Sequence, residues 1–278
     1  MIDASAKTLL ITGCSRGGIG YVCAHMAKAA GYRVLATARK AEDVAMLQSE
    51  GFEAFRLDLD DSASIDAAAA WAGERTGGRL YALFNNAAYG QPGAVEDLSR
   101  ETLRAQFETN LFGTHELTVK LLPLLLAHGE ARIVQNSSLL GYVTLRYRGA
   151  YNASKFALEG LSDTLRLELA DTGVKVVLIE PGPIRSRFRQ NALAKFLAHI
   201  DIPKSRLADL YEKKLEALRS EEDAPFTLPP EAVGRALLKA LGDRPAPRYR
   251  VTQPAVWLYR LKRCLPTRWM DAILRAIE

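Results

Sequence analysis

The amino-acid sequence predicts an α/β fold, a doubly wound parallel sheet of about seven strands with helices on both faces. Short apolar runs alternate along the chain with longer helical patterns. Most of these runs are continuously apolar and rich in β-branched or aromatic residues, which is typical of strands buried on both faces. A repeat of strand, helix and strand implies right-handed crossovers. The predicted strands are 8–12, 33–37, 54–58, 81–85, 132–137 and 175–180, with a last strand at 248–252.

Helical patterns fill the intervals between these strands. They cover 18–30, 41–49, 62–75, 99–127 and 149–172. No linker rich in Pro, Gly or Ser divides the chain, so we predict a single domain over 1–278. The stretch 184–228 is helical and mixed in polarity, and it lies between the sixth and last strands. Because ligands bind beyond the carboxyl ends of parallel strands, we expect 184–228 to be a helical substrate lid, the alternative being a peripheral helical pair.

Composition narrows the class of protein. The chain has 278 residues, 48% hydrophobic and 25% charged, which is ample for a large core. A net charge of +5 suits an anionic cofactor or membrane surface, and equally a solvated surface. No Lys/Arg block interleaved with aromatics precedes the C-terminus, so we expect no nucleic-acid partner. Three cysteines without a CxxC pair and four histidines without ligand spacing predict reduced thiols and no metal.

The two ends of the chain bear on its location. The N-terminal stretch MIDASAKTLLITG lacks a signal-peptide layout, and no apolar run is long enough to span a bilayer. These features predict a cytoplasmic protein. The stretch 254–278 is an amphipathic extension that mixes aromatic and basic residues, and Pro266 splits it. It suits peripheral contact with the inner membrane, a lid over the pocket or a subunit contact.

A glycine-rich loop, TGCSRGGIG (Thr12 to Gly20), joins the first strand to the first helix. A helix N-terminus offers unpaired N–H groups and partial positive charge, and glycines let the backbone approach a phosphate closely. The GxGxxG fingerprint is absent, since the spacing here is TG, four residues, then GIG. The loop predicts a phosphate site, although strand-to-helix turns also carry glycines for steric reasons alone.

Two arginines indicate which dinucleotide the loop would hold. Arg39 follows the second strand, where an acidic residue would indicate NAD and an arginine suits the 2′-phosphate of NADP. Arg16 in the glycine loop could grip the same phosphate, and both arginines could also be merely solvated. Asp58, at the end of the third strand, could accept a hydrogen bond from adenine or cap the next helix. The cofactor predicted from these residues is NADP(H).

A tyrosine and a lysine four residues apart carry the predicted chemistry. Tyr151 and Lys155 begin a long helical pattern and share one helix face. A nearby cation stabilises phenolate and lowers the tyrosine pKa, so the hydroxyl becomes a candidate proton donor or acceptor. Ser138 follows the fifth strand, thirteen residues before Tyr151, and Asn110 lies in a helical pattern. Taken one at a time, Ser138 could also be a strand-end cap, Asn110 a helix hydrogen-bonding residue and Lys155 a surface charge.

Together these residues resemble the short-chain dehydrogenase/reductase family, in its single-domain branch with a Rossmann-type fold. The matching positions cover roughly 7–190: the glycine loop, Asp58, Asn85-Asn86-Ala87, Asn110, Ser138, Tyr151, Lys155 and Pro181-Gly182. The family loop is usually TGxxxGxG, so one glycine is added here, Gly17 or Gly18. The usual NNAG is NNAA in this chain, where Ala88 adds a methyl group. Downstream, YRVT and LKRCLPTRWMDAIL are similar to a bacterial subgroup of NADP-dependent aldehyde reductases.

The resemblance implies that the catalytic residues are Asn110, Ser138, Tyr151 and Lys155, and it gives each of them a role. Tyr151 would give its proton to the substrate carbonyl and Ser138 would bind the same oxygen. Lys155 would lower the tyrosine pKa and bind the nicotinamide ribose, and Asn110 would hold a relay water. Ser186 stands where the family has a threonine that contacts the carboxamide. The implied cofactor-binding residues are Gly13, Ser15, Arg16, Gly18, Ile19, Gly20, Arg39, Asp58, Leu59, Asn86, Ala87, Tyr151, Lys155, Pro181, Gly182, Ile184 and Ser186.

The predicted function is NADPH-dependent reduction of an apolar aldehyde, of medium or long chain, to the alcohol. Apolar residues near Tyr151 and in the lid predict an alkyl pocket, or else ordinary core: Leu139, Leu140, Tyr142, Val143, Leu145, Tyr147, Ile184, Phe188, Leu193 and Phe196. The alternatives are a hydroxysteroid or retinol dehydrogenase, a 3-oxoacyl-thioester reductase, and an NADP-sensing regulator without turnover. The resemblance also implies a homodimer or homotetramer formed through 99–127 and 149–172.

Overall fold

A parallel sheet forms the centre of the computed structural model, which describes residues 7–219 and 222–277. Within these residues seven strands pair in the order β3-β2-β1-β4-β5-β6-β7, and each neighbouring pair is parallel. The strands are β1 Thr8–Ile11, β2 Arg33–Ala38, β3 Glu53–Arg56, β4 Ala82–Asn85, β5 Ala131–Asn136, β6 Val174–Glu180 and β7 Arg248–Arg250. The predicted α/β fold and all its strands are confirmed. Residues 1–6, 220, 221 and 278, which belong to the predicted domain, lid and extension, lie outside the described residues.

Each face of the sheet is covered by helices. The helices are α1 Ile19–Ala29, α2 Ala41–Ser49, α3 Ser62–Thr76, α4 Arg100–Phe107, α5 Thr114–His128, α6 Gly149–Glu168, α7 Phe188–His199, α8 Ala208–Arg219, α9 Glu231–Ala240, α10 Gln253–Cys264 and α11 Thr267–Ala276. Along β1, Leu9 and Ile11 face a core with α1 and α9, whereas Leu10 faces a core with α3 and α5. Because successive side chains of a strand point to opposite faces, burial of both faces explains the continuous apolar runs.

The helix predicted at 99–127 is interrupted, which corrects the sequence prediction. A π-helical turn, Glu108–Gly113, separates α4 from α5. Gly113 packs directly on the chain after β3, where a Cβ atom would overlap the carbonyl oxygen of Leu59. Such close backbone approach is available only to glycine. π turns inside helices frequently mark functional sites, and this one contains Asn110.

A buried charge network fixes the helix that carries Tyr151. Glu180, fully buried at the end of β6, pairs with Arg248 and Arg250 of the edge strand β7. Arg248 also pairs with Glu159 and Asp163 of α6. Because an unpaired buried charge is costly, these pairs hold β6, β7 and α6 in one register.

The stretch 184–228 forms a helical unit beside the sheet. It contains α7, a short 3₁₀ helix at Ile202–Lys204 and α8, and it returns to the sheet through a bridge between Ile184 and Leu228. Side chains of α7 and α8 share a core, in which the rings of Phe196 and Tyr211 meet edge to face. The two helices therefore pack against each other as well as against the rest of the domain, and the role of this unit, here called the lid, stays a prediction.

The C-terminal extension packs against the chain that follows β5. Leu258 of α10 and Met270 of α11 share an apolar cluster with Leu140 and Val143. Trp257 and Trp269 point away from this cluster and are 58% and 67% exposed. Over the described part of the chain, no helix combines the length and hydropathy that a membrane crossing needs. Which surface the exposed tryptophans meet stays a prediction.

Candidate active site

One cleft of about 1230 Å³ opens along the carboxyl edge of the sheet. It includes the point where the strand order reverses between β1 and β4, where ligands of such sheets bind. Most of the predicted site residues line this cleft: Gly13, Ser15, Arg16, Gly18, Ile19, Arg39, Asp58, Leu59, Asn86, Ala87, Ser138, Tyr151, Lys155, Pro181, Gly182, Ile184 and Ser186. Two others, Gly20 and Asn110, are buried behind its wall.

The glycine loop resolves the question of the added residue. Gly18 lines the cleft and directly precedes α1. Gly17 has φ +77° and turns to the lid, where its carbonyl accepts a hydrogen bond from the Arg187 N–H at 3.2 Å. Gly17 is therefore the residue that bulges away from the cleft. Among the described residues no side chain caps α1, so its first N–H groups are left for an anion.

A polar cluster ties this loop to the end of β4. The Asn86 amide nitrogen Nδ2 donates to the carbonyl oxygens of Thr12 at 2.9 Å and Gly13 at 3.2 Å. The Thr12 hydroxyl accepts from the N–H groups of Asn86 and Ala87, each at 2.9 Å. Gly20 packs into the same cluster, since a Cβ atom there would lie 2.5 Å from Asn86 Nδ2. These contacts hold the glycine loop against the end of β4.

Three residues that were predicted to bind the adenosine half of the cofactor, Arg16, Arg39 and Asp58, line the cleft. Arg39 is exposed and lines the cleft, but the Arg16 guanidinium pairs with Glu50 at 2.9 Å. A grip on one phosphate by both guanidiniums stays a prediction, and Arg16 would have to leave Glu50 to take part in it. Asp58 also lines the cleft, and the capping alternative for it is wrong. Asp61 caps α3 instead, accepting a hydrogen bond from Ala63 N at 3.0 Å.

Three predicted catalytic side chains meet at the other end of the cleft. Tyr151 and Lys155 lie one turn apart at the start of α6. The Ser138 hydroxyl donates to the Pro181 carbonyl at 3.5 Å and accepts from Leu140 N at 3.1 Å, and it is close enough to Tyr151 to lower the pKa of that phenol. The Lys155 ammonium Nζ donates to the Asn136 carbonyl at 2.8 Å and lies 5.8 Å from the Tyr151 ring centroid. The structure therefore brings Ser138, Tyr151 and Lys155 together.

Burial shifts the pKa values of both Tyr151 and Lys155. Burial raises the pKa of Tyr151 to about 12, opposed by the hydrogen bond with Ser138. Burial also lowers the pKa of Lys155 to about 8, opposed by the charge of Glu159. Burial is the larger of the two causes of the Tyr151 shift, and a lowering of the tyrosine pKa by Lys155 stays a prediction. Tyr151 is consequently a neutral phenol at physiological pH, as a proton donor must be.

Asn110 is held by both ends of its side-chain amide. Its Nδ2 donates to the Tyr89 carbonyl at 2.9 Å and to the Ser154 hydroxyl at 3.1 Å. Its Oδ1 accepts from Tyr89 N at 3.1 Å. Asn110 therefore ties α6 to the loop that follows β4, and its part in a water relay stays a prediction.

Only some of the predicted apolar residues form a pocket wall. Leu139, Leu140, Leu145, Ile184 and Phe188 line the cleft. The Phe188 ring meets the Tyr151 ring edge to face, with centroids 5.3 Å apart. The remaining residues do not line the cleft: Tyr142 and Val143 pack with α10 and α11, and Tyr147, Leu193 and Phe196 belong to the core around α7 and α8. The alkyl-pocket prediction is wrong for these five.

Some cleft residues were not predicted from the sequence. They are Asn136, which anchors Lys155 and donates to Asn86 Oδ1 at 2.9 Å, and Tyr89, Arg148 and Lys195. Asn136 could have been found because it ends the strand that leads to Ser138. Lys195 offers no such signal, because only the placement of α7 brings it to the cleft.

Comparisons with known proteins agree with this geometry. The family model described as short chain dehydrogenase matches residues 7–195. The uncharacterized oxidoreductase YbbO of Escherichia coli K12 is 44% identical over 270 residues, covering 97% of this chain and 94% of that protein. The NADPH-dependent 3-dehydrocapnine reductase of Ornithobacterium rhinotracheale is 32% identical over 273 residues, covering 95% and 94%. A crystal structure of a short-chain dehydrogenase from Streptomyces avermitilis has a TM-score of 0.74 at 30% identity and covers 99% of both chains.

The open parallel sheet, the glycine loop after β1 and the buried tyrosine–lysine pair, with these similarities, define an oxidoreductase. The chain belongs to the short-chain dehydrogenase family.

Proposed function

We propose that this protein is an NADP(H)-dependent carbonyl reductase that converts an apolar aldehyde to the alcohol. The observation that carries the proposal is the Ser138–Tyr151–Lys155 set beside an apolar wall in the same cleft as the glycine loop. Arg39 at the end of β2 supports NADP(H) over NAD(H). A relative that is named as NADPH-dependent, the 3-dehydrocapnine reductase, also supports this cofactor.

The residues of the cleft fit a dinucleotide. The uncapped N-terminus of α1 and the close-packed Gly18 would receive the pyrophosphate. Lys155 and Ser186, which line the other end, would hold the nicotinamide half. When bound, the cofactor supplies the hydride.

The chain supplies the proton and orients the substrate carbonyl. With a pKa of about 12, the Tyr151 hydroxyl keeps its proton until the carbonyl oxygen becomes basic and accepts it. The Ser138 hydroxyl, which lines the cleft with Tyr151, would bind the same oxygen and stabilise the developing negative charge. The Lys155 ammonium, anchored by the Asn136 carbonyl, favours loss of that proton through its charge.

The substrate class follows from the walls around Tyr151. Leu139, Leu145 and Phe188 offer apolar contact to an alkyl chain. The resemblance of the C-terminal stretch to aldehyde reductases also favours a medium- or long-chain aldehyde. A hydroxysteroid and a 3-oxoacyl thioester are the rival substrates for the same catalytic groups.

The test is oxidation of NADPH, and separately of NADH, with decanal, a steroid ketone and an acetoacetyl thioester. With decanal as substrate, we expect the absorbance of NADPH to fall fast and, in the separate assay, the absorbance of NADH to fall slowly. Faster turnover of the steroid or the thioester would replace the aldehyde as substrate. NADPH binding without turnover of any carbonyl would instead support an NADP-sensing regulator.

Arg39 is expected to decide between the two cofactors. Arg39→Gln should raise the NADPH dissociation constant roughly 10–100-fold, the value of a charge-assisted hydrogen bond to phosphate, and leave that for NADH unchanged. Arg16→Gln should have a smaller effect, because Arg16 is paired with Glu50. Fluorescence titration measures both constants.

The matched control for this substitution is Arg75→Gln. Arg75 pairs with Glu53 on the surface and does not line the cleft, so this substitution removes the same charge away from the site. Equal weakening of NADPH and NADH by Arg39→Gln would contradict a specific role at the 2′-phosphate.

A further inference from the structure

A buried phenol in the cleft has no assigned role in the proposed reaction. Tyr89 is 8% exposed and lines the cleft. Its hydroxyl oxygen is buried and makes no hydrogen bond to any of the residues that the structure describes. Buried hydroxyls are almost always hydrogen-bonded, and those that are not need an explanation.

The backbone of Tyr89 is held unusually firmly. Its N–H and carbonyl both bond to Asn110, and the carbonyl also accepts from Gln106 Nε2 at 3.0 Å. The position of the hydroxyl is therefore built into the site and does not result from a loosely placed loop. This rigidity, together with the unsatisfied oxygen, points to a ligand that accepts or donates there.

A lysine of the lid stands beside this phenol. Lys195 Nζ lies 4.5 Å from the centroid of the Tyr89 ring, and Lys195 also lines the cleft. Among the described residues it has no salt-bridge partner, whereas Lys204 and Arg185 of the same lid pair with Asp201 and Asp223. The lid thus holds an ammonium group without a counter-ion over the cleft.

Further contacts set where this pair lies along the cleft. The next residue, Gly90, faces Phe188, the partner of the Tyr151 ring. Burial and the charge of Asp60 raise the pKa of Tyr89 to about 12, and the charge of Arg39 opposes this rise. The Tyr89 hydroxyl is therefore within electrostatic reach of Asp60 and Arg39, whereas the next residue lies beside the catalytic end. The phosphates of a bound dinucleotide, which join its two halves, would pass this part of the cleft.

We propose that Lys195 and Tyr89 form a phosphate subsite through which the lid binds the phosphate-bearing half of NADP(H). The ammonium supplies charge and the phenol a directed O–H donor, which together favour a phosphate oxygen. This inference rests on the proposed cofactor. It extends the cofactor site from the sheet to helix α7, so that the lid takes part in cofactor binding as well as in covering the substrate.

Two variants test the subsite by fluorescence titration, without turnover. Lys195→Gln should raise the NADPH dissociation constant roughly tenfold, the effect of one charge-assisted hydrogen bond. Tyr89→Phe should raise it severalfold and leave the Tm of the ligand-free protein unchanged or higher, because it removes only an unsatisfied hydroxyl. Titration with 2′,5′-ADP and with ADP then tells whether the 2′-phosphate or the pyrophosphate is bound.

The matched control is Lys204→Gln, which removes the same charge from the lid outside the cleft and should leave NADPH binding unchanged. Unchanged NADPH binding in both Lys195→Gln and Tyr89→Phe would overturn the inference. So would unchanged binding with a raised KM for an anionic carbonyl substrate alone, since the anion would then belong to the substrate. A wild-type protein that fails to bind NADPH would overturn the proposed function as well, so the two failures can be told apart.

Discussion

Tyr151→Phe is expected to lower kcat for carbonyl reduction by about 10³-fold, within the range that a positioned general acid contributes. The substitution removes one oxygen atom and leaves the ring against Phe188 in place. The glycine loop and Arg39 are untouched, so the NADPH dissociation constant should change by no more than about twofold. Stopped-flow or steady-state absorbance measures the rate, and titration measures the binding.

The control for this prediction is Tyr142→Phe. Tyr142 packs in the same apolar cluster as Tyr151, but its hydroxyl donates to the Ala255 carbonyl at 2.6 Å and does not reach the cleft. We expect this variant to lose about 1 kcal/mol of stability and to keep its kcat. Parallel loss of NADPH binding and turnover in Tyr151→Phe would show that the hydroxyl serves the cofactor site and not proton transfer.

Gly20→Ala should damage the cofactor site without touching a catalytic group. Its Cβ atom would overlap the Gly13 carbonyl oxygen and lie 2.5 Å from Asn86 Nδ2. The loop and β4 would be forced apart, at an expected cost of about 1–3 kcal/mol in unfolding free energy. NADPH binding should weaken at least tenfold, since several N–H contacts to phosphate would be lost.

Thermal unfolding and NADPH titration measure the two effects of Gly20→Ala. Gly160→Ala is the matched control, since Gly160 lies inside α6 with no atom within 4 Å of an added Cβ. That variant should be stabilised by about 0.5–1 kcal/mol, because alanine loses less backbone entropy in a helix. Normal NADPH affinity in Gly20→Ala would contradict a phosphate role for the loop.

The strands and their order along the chain were predictable because of how they are buried. A strand covered on both faces is apolar through its centre, as in residues 9–11 of β1 and 176–179 of β6. The positions of Ser138 and Tyr151 were predictable for a related reason. Residues that follow parallel strands meet at one edge, so chain position alone indicates that they lie close together.

Other features could not be predicted from local pattern. The π turn at Asn110 ends at Gly113, which packs on Leu59, a contact between residues far apart in the chain. Which apolar residues face the cleft was equally hidden. Phe188 and Phe196 lie on the same helix with similar neighbours, yet one meets Tyr151 and the other meets Tyr211.

The amino-acid sequence alone determined the fold class, the family and the residues that are predicted to carry the chemistry. Apolar periodicity and motif spacing are properties of residues that are near one another in the chain. The tertiary structure decided the rest: the pairing of Arg16 with Glu50, the raised pKa of Tyr151 and the position of Lys195 over Tyr89. Each of these depends on burial or on charges brought together from distant segments. Desolvation and pairing between distant charges arise only when the segments pack against each other, so they could not be predicted from the local sequence.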